Sequence, residues 1–139
     1  MTRSHFFLVL VALTSGCAVQ QRETGALFDQ LRGRGPLIID VANETGPSTQ
    51  FFRDNWKGST AIKQLVLTRG APDALSVERE FLQPNRLKLF YPSQGEVFIL
   101  DSVDGEWFVA GTEPVQVEDL KALRDQRVQN IGGDHNSQS

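Results

Sequence analysis

The hydrophobic pattern of this chain switches from a period of 3.6 to a period of 2 at Gly70-Ala71-Pro72, and that switch constrains the fold more than any other feature. Before it, in "STAIKQLVLTRGAP" (59–72), Ile62, Leu65, Val66 and Arg69 recur at i, i+3, i+4 and i+7, the spacing of one helix face. Ser59 stands where an N-cap belongs, Gly70 takes the position past the last turn, and Pro72 forbids continuation. After it, apolar and polar residues alternate. Leu75, Val77 and Phe81 alternate with Ser76, Glu78 and Glu80, then Leu87, Leu89 and Tyr91 with Arg86, Lys88 and Phe90. A helical stretch followed by consecutive period-two stretches predicts an α+β fold with an antiparallel meander.

The turns divide the meander into about four strands. Gln83-Pro84-Asn85 separates the first two, and pairing Leu82 with Arg86 would set Glu80 opposite Lys88. Pro92 to Gly95 leads into "EVFIL", and Asp104-Gly105 suits a type I′ turn into "EWFVAG". Phe98, Leu100, Trp107 and Val109 make one face of these last strands apolar, and Val97, Ile99 and Phe108 the other. Both strands are therefore expected to be central or covered on each side. "VEDLKALRDQRV" (117–128) reads as a second amphipathic helix, with Glu118 and Asp119 at its positive end and Arg124 and Arg127 at its negative end. Leu120, Leu123 and Val128 are expected to face inward. In front, "LIIDV" (37–41) reads as a strand buried on both faces, its partner undetermined. Between 43 and 58, Gly46-Pro47 is a break, and Phe52 and Trp56 would share a helix face. The expected whole is a four-stranded meander with two flanking amphipathic helices on one face, spanning 37–129. Residues 130–139 have no evident reason to fold.

At 139 residues and a formal charge of −3, the chain has one-domain length and no broad positive field, which argues against nucleic-acid binding. A single cysteine rules out an intramolecular disulfide, so stability must come from a packed core.

That cysteine follows Arg3, the apolar run "FFLVLVAL" (6–13) and the small residues Thr14, Ser15 and Gly16. "TSGC" resembles the lipobox of bacterial lipoproteins, departing from it at Thr14, where a large aliphatic is usual. The resemblance implies that 1–16 are a removed signal peptide, that Cys17 is acylated, and that 17–36 form a lipidated cysteine and tether. Several acyl chains hold a protein firmly on a leaflet. Ala18, where the enterobacterial sorting rule places Asp for inner-membrane retention, implies the outer membrane of the bacterial cell envelope, facing the periplasm. Further along, a helix closing on "RGAP" before antiparallel strands is similar to the small SmpA/OmlA-type lipoproteins, which assist β-barrel assembly. That resemblance rests on Gly70, Pro72 and Tyr91 within 59–111, and the chain departs from it by a fourth strand and a C-terminal helix.

The residues offer little catalytic chemistry. His5 lies in the signal and His135 in the tail, which leaves no Ser-His-Asp or Cys-His arrangement in the domain. Asp101, Asp104 and Glu106 surround a hairpin turn at no known Ca²⁺-loop spacing, and Glu96 with Glu106 is the conceivable carboxylate pair. The expectation is a non-enzymatic, lipid-anchored envelope protein without cofactor or metal, contacting the membrane through Cys17 and an envelope protein through its domain. Phe51, Phe52 and Trp56, with Phe90, Phe98 and Trp107, are the candidate contact residues. Exposed together they would support binding; covered, they would be core. The alternatives are a small-ligand carrier, which requires a closed apolar pocket, and an enzyme working through carboxylates alone.

Overall fold

The structure, a computed structural model, describes residues 25–40 and 46–136, and for 130–136 the backbone alone. Residues 25–30 fall in one compact unit and the remainder, from Leu31, in a second. Helix α1 covers residues 25–31. The second unit then runs β1 (Leu37–Ile38), α2 (Pro47–Gly58), α3 (Thr60–Arg69), β2 (Ala74–Glu78), β3 (Arg86–Tyr91), β4 (Glu96–Val103), β5 (Glu106–Pro114) and α4 (Val117–Asn136). The fold is α+β, as the change of period predicts. The sheet is antiparallel in the order β1-β2-β3-β4-β5, one strand more than the meander alone.

The helix-to-sheet transition is built by the residues that announce it. The Ser59 hydroxyl accepts the Ile62 N–H at 3.2 Å. Gly70 has φ +83° and donates its N–H to the Val66 carbonyl, closing α3. Shortly after, Asp73 donates to the Phe90 carbonyl and β2 begins. At the hairpin between β4 and β5, Asp104 and Gly105 both have positive φ, as a type I′ turn requires.

The register of β2 on β3 differs from the expected one. Glu78, not Leu82, stands opposite Arg86, and Ser76 opposite Lys88. This pairing sets Leu75 against Leu89 and Val77 against Leu87, all four buried. It leaves Phe81 and Leu82 in a loop, almost fully exposed, with Leu82 in the left-handed region at φ +62°. Pairing four apolar side chains in the core outweighs one exposed Glu–Lys contact, which contributes about 0.2–1 kcal/mol. Lys88 still reaches Glu78 diagonally, at 3.7 Å, and Glu113 at 3.3 Å.

Helices pack on both faces of the sheet rather than on one. Leu75, Val77, Leu87, Leu89, Tyr91, Phe98, Leu100 and Trp107 share the first face. Helices α2 and α3 cover it: Trp107 Nε1 donates to Asn55 Oδ1 at 2.8 Å, and the Tyr91 hydroxyl to the Gly70 carbonyl at 3.1 Å. On the second face Ala74, Phe90 and Val97 form a smaller core with Leu123 of α4. Toward the other end, Arg86, paired to Asp101 at 2.9 Å, and Lys88 stand beside the half-buried Ile99 and the half-exposed Phe108. Of the three α4 residues expected inward, Leu123 is buried, whereas Leu120 and Val128 are exposed. The helix also continues through 130–136, which composition placed in a loose tail.

Strand β1 is a two-residue edge, half-buried rather than buried on both faces. Side chains meet its outward backbone groups. Gln126 of α4 accepts the Ile38 N–H at 3.2 Å and donates to the Pro36 carbonyl at 2.6 Å. Ser48 donates to the Ile38 carbonyl at 2.7 Å, and Thr49 both accepts from the Asp40 N–H and donates to the Asp40 carbonyl. Before it, Leu31 is fully buried and Gly33 donates to the Val77 carbonyl at 3.1 Å, so the folded unit begins ahead of residue 37. The other edge is β5, expected to be central or covered on each side. There Phe108 and Val109 are half-exposed, and a bulge at Ala110 interrupts the ladder between Ile99↔Gly111 and Leu100↔Val109.

Candidate functional site

Five of the six aromatic residues proposed as contacts are core. Phe51 is 0% exposed, and Phe52, Phe90, Phe98 and Trp107 are buried. Phe90 also lies on the opposite sheet face from Phe98 and Trp107, so these three do not form one surface. The reason is local: α2 presents Ser48, Thr49, Phe51 and Phe52 inward, while Gln50, Asp54, Trp56 and Lys57 meet solvent. Trp56 alone of the six stands at the surface, 39% exposed, stacked on Phe52 with ring centroids 6.0 Å apart and 17° between planes. Cys17 lies outside the described residues.

Trp56 belongs to a groove between α2 and α3. Arg53, Trp56 and Lys57 of α2 face Lys63, Val66 and Leu67 of α3 across a hollow of about 570 Å³ that is wide open to solvent. Spacings of three and four residues put each trio on one flank of its helix. Leu67 is 83% exposed and Val66 half-buried, so the walls are apolar while the ends are cationic. Residues 47–69 hold Arg53, Lys57, Lys63 and Arg69 against one acid, Asp54, in a chain of net charge −3. Arg69 is used internally: it lies 2.8 Å from Glu96 and over the Phe98 ring, 5.4 Å from its centroid. Sequence reasoning pointed to Trp56 but missed the groove. The signal for it is the offset of Lys63 and Leu67 from the buried Ile62–Leu65 stripe of α3.

The carboxylates do not converge. Glu96 stands opposite Pro114 and Glu106 opposite Val103, at the two ends of the β4–β5 ladder. Asp101 is held by Arg86 through two hydrogen bonds, at 2.9 and 3.3 Å. Among the described residues no group of three or more His, Cys, Asp or Glu side chains is arranged to hold a metal ion. Around the α3 terminus, Tyr91 has its phenol pushed up to about 12 by burial, against the opposing pull of Arg69. Its neighbours are a ring edge (Phe98, 5.6 Å) and a backbone carbonyl, so its setting is that of a packed junction. A second crevice, of about 270 Å³, lies where α2 meets α3 and is bordered by Ser59, Thr60, Glu106, Trp107 and Phe108.

No family model, no curated protein and no solved structure matches this chain. No helix among the described residues is long and apolar enough to cross a membrane.

Proposed function

We propose that this chain is a lipid-anchored protein of the bacterial cell envelope whose domain works by binding, without catalysis. The groove between α2 and α3 carries the binding half of this reading. An apolar surface holding a tryptophan and a leucine in the open, rimmed by cations, is a composition that marks contact sites. It takes the place of the five aromatic residues that are core. The anchor half rests on Cys17 and the segment before it. The dispersal of Glu96, Asp101 and Glu106 supports a domain that binds over one that uses carboxylates for chemistry.

The test is the intact mass of the protein from a membrane fraction, beside a Cys17→Ala variant. A mature chain beginning at Cys17 with acyl mass, lost in the variant, is the expected result. A photo-crosslinker placed at Leu67 should give adducts in the envelope that the same probe at Val103 does not. An unmodified Cys17 would sink the anchor, and equal adducts at both positions would sink the groove.

A further inference from the structure

We infer that the α2–α3 face is a membrane-contact surface: the domain lies against an anionic lipid leaflet, with Trp56 and Leu67 at the acyl boundary and Lys57 and Lys63 on lipid phosphates. The inference rests on the reading of Cys17 as an anchor only for the nearness of the leaflet.

Three observations choose lipid as the occupant. The first is charge. Lys57 and Lys63 are exposed ammonium groups on facing flanks of the groove, with Arg53 beside them, in a chain that is otherwise acidic. Phosphates of an anionic leaflet attract such cations, roughly fivefold in binding for each one near the surface. The second is relief. Leu67 is 83% exposed, so it stands at the open margin of the hollow and not at a closed floor. A helix docking into a groove needs apolar walls set back to receive its anchors. A projecting leucine flanked by lysines instead suits insertion into an interface. The third is Trp56. It is held flat on Phe52, which is itself core, so its ring is presented at the surface without freedom to fold away. An indole with one apolar face and one polar edge is favoured at the level of lipid headgroups.

The experiment uses the full protein extracted from its membrane and reconstituted into phosphatidylcholine vesicles, with or without phosphatidylglycerol. The readout is Trp56 fluorescence, taken as the difference between the wild type and Trp56→Phe. That substitution leaves Trp107 and its bond to Asn55 in place. Lipids brominated near the headgroup should quench Trp56 in vesicles containing phosphatidylglycerol, while aqueous acrylamide loses access to it. Lys57→Glu with Lys63→Glu should remove most of that quenching, by more than tenfold in association, with circular dichroism unchanged. Trp56 that stays open to acrylamide and insensitive to brominated lipid, in protein shown to be anchored, overturns the inference. So does shielding that appears only when an envelope protein is added, since the occupant would then be a protein. If Cys17 proves unmodified, sedimentation of the chain with the same vesicles still decides the matter. Binding that requires phosphatidylglycerol and Lys57 and Lys63 upholds the face, and its absence rejects it.

Discussion

Tyr91 joins the sheet to the end of α3 through one hydrogen bond, and its ionisation sets an alkaline limit on that junction. The phenol is ordinarily half-ionised near pH 10 in an unfolded chain, whereas burial raises it to about 12 in the fold. A raised pKa means that the folded state holds the proton longer. Its contribution is therefore complete below about pH 10 and is lost as pH rises toward 12. Urea midpoints across that window should fall in the wild type and fall less in Tyr91→Phe. Parallel curves would show that Tyr91 does not carry the effect. At the accepting end of the same bond, Gly70 sits at φ +83°, ψ −175°, a conformation close to glycine-only. A Cβ there would meet nothing within 4 Å, so Gly70→Ala tests backbone strain alone. A loss of about 1–3 kcal/mol in unfolding free energy is expected. The role of Gly70 is legible in the sequence, because a glycine with a proline two residues on leaves the helix few ways to continue. The bond from Tyr91 is not, since nothing local marks a partner 21 residues away.

At the scale of elements, the sequence reveals identities better than neighbours. Alternation in "RLKLFY" and the Asp104-Gly105 turn define β3 and the β4–β5 hairpin correctly. Alternation has period two, however, so a shift of four residues between β2 and β3 preserves every face, and only the packing of Leu75 and Val77 selects among registers. Nor does apolarity on both sides reveal which strand is an edge. β5 has Phe108 and Val109 half-exposed because no strand lies beyond it. The sheet partner of "LIIDV" is β2, through Leu37↔Leu75 and Ile38↔Ala74, while Gln126, some ninety residues away, holds the strand from outside. Such a contact leaves no local pattern. Gln126→Ala strands the Ile38 N–H and the Pro36 carbonyl, and a cost of about 1 kcal/mol is expected for groups only partly buried. Amide exchange at Ile38 should quicken while that of β3 stays unchanged. Equal acceleration in both would mean that the edge and the sheet open as one unit.

The fold divides the six candidate contact aromatics, five in the core and Trp56 at the surface. Six aromatics look equivalent in sequence because composition does not say which side of a helix turns inward. Phe51 and Trp56 are five residues apart, which puts them well apart around α2. Phe51→Ala should therefore lower stability by about 3–5 kcal/mol, enough to unfold many domains of this size. Leu67→Ala, at 83% exposure, should change it by no more than about 0.5 kcal/mol. Thermal melts of the two variants check the division, and a large loss at Leu67 would place it in the core. The groove itself is not legible, since its halves come from two helices whose facing flanks are fixed by how both rest on the sheet. The sealed flank at β1 has a consequence for assembly. A sheet that can accept a strand on only one side cannot be extended indefinitely. If two copies met through β5, each would present the next arrival with a boundary already occupied by glutamine, serine and threonine side chains. Growth by strand addition ends at a pair, and this domain is denied the route by which exposed sheets become fibres.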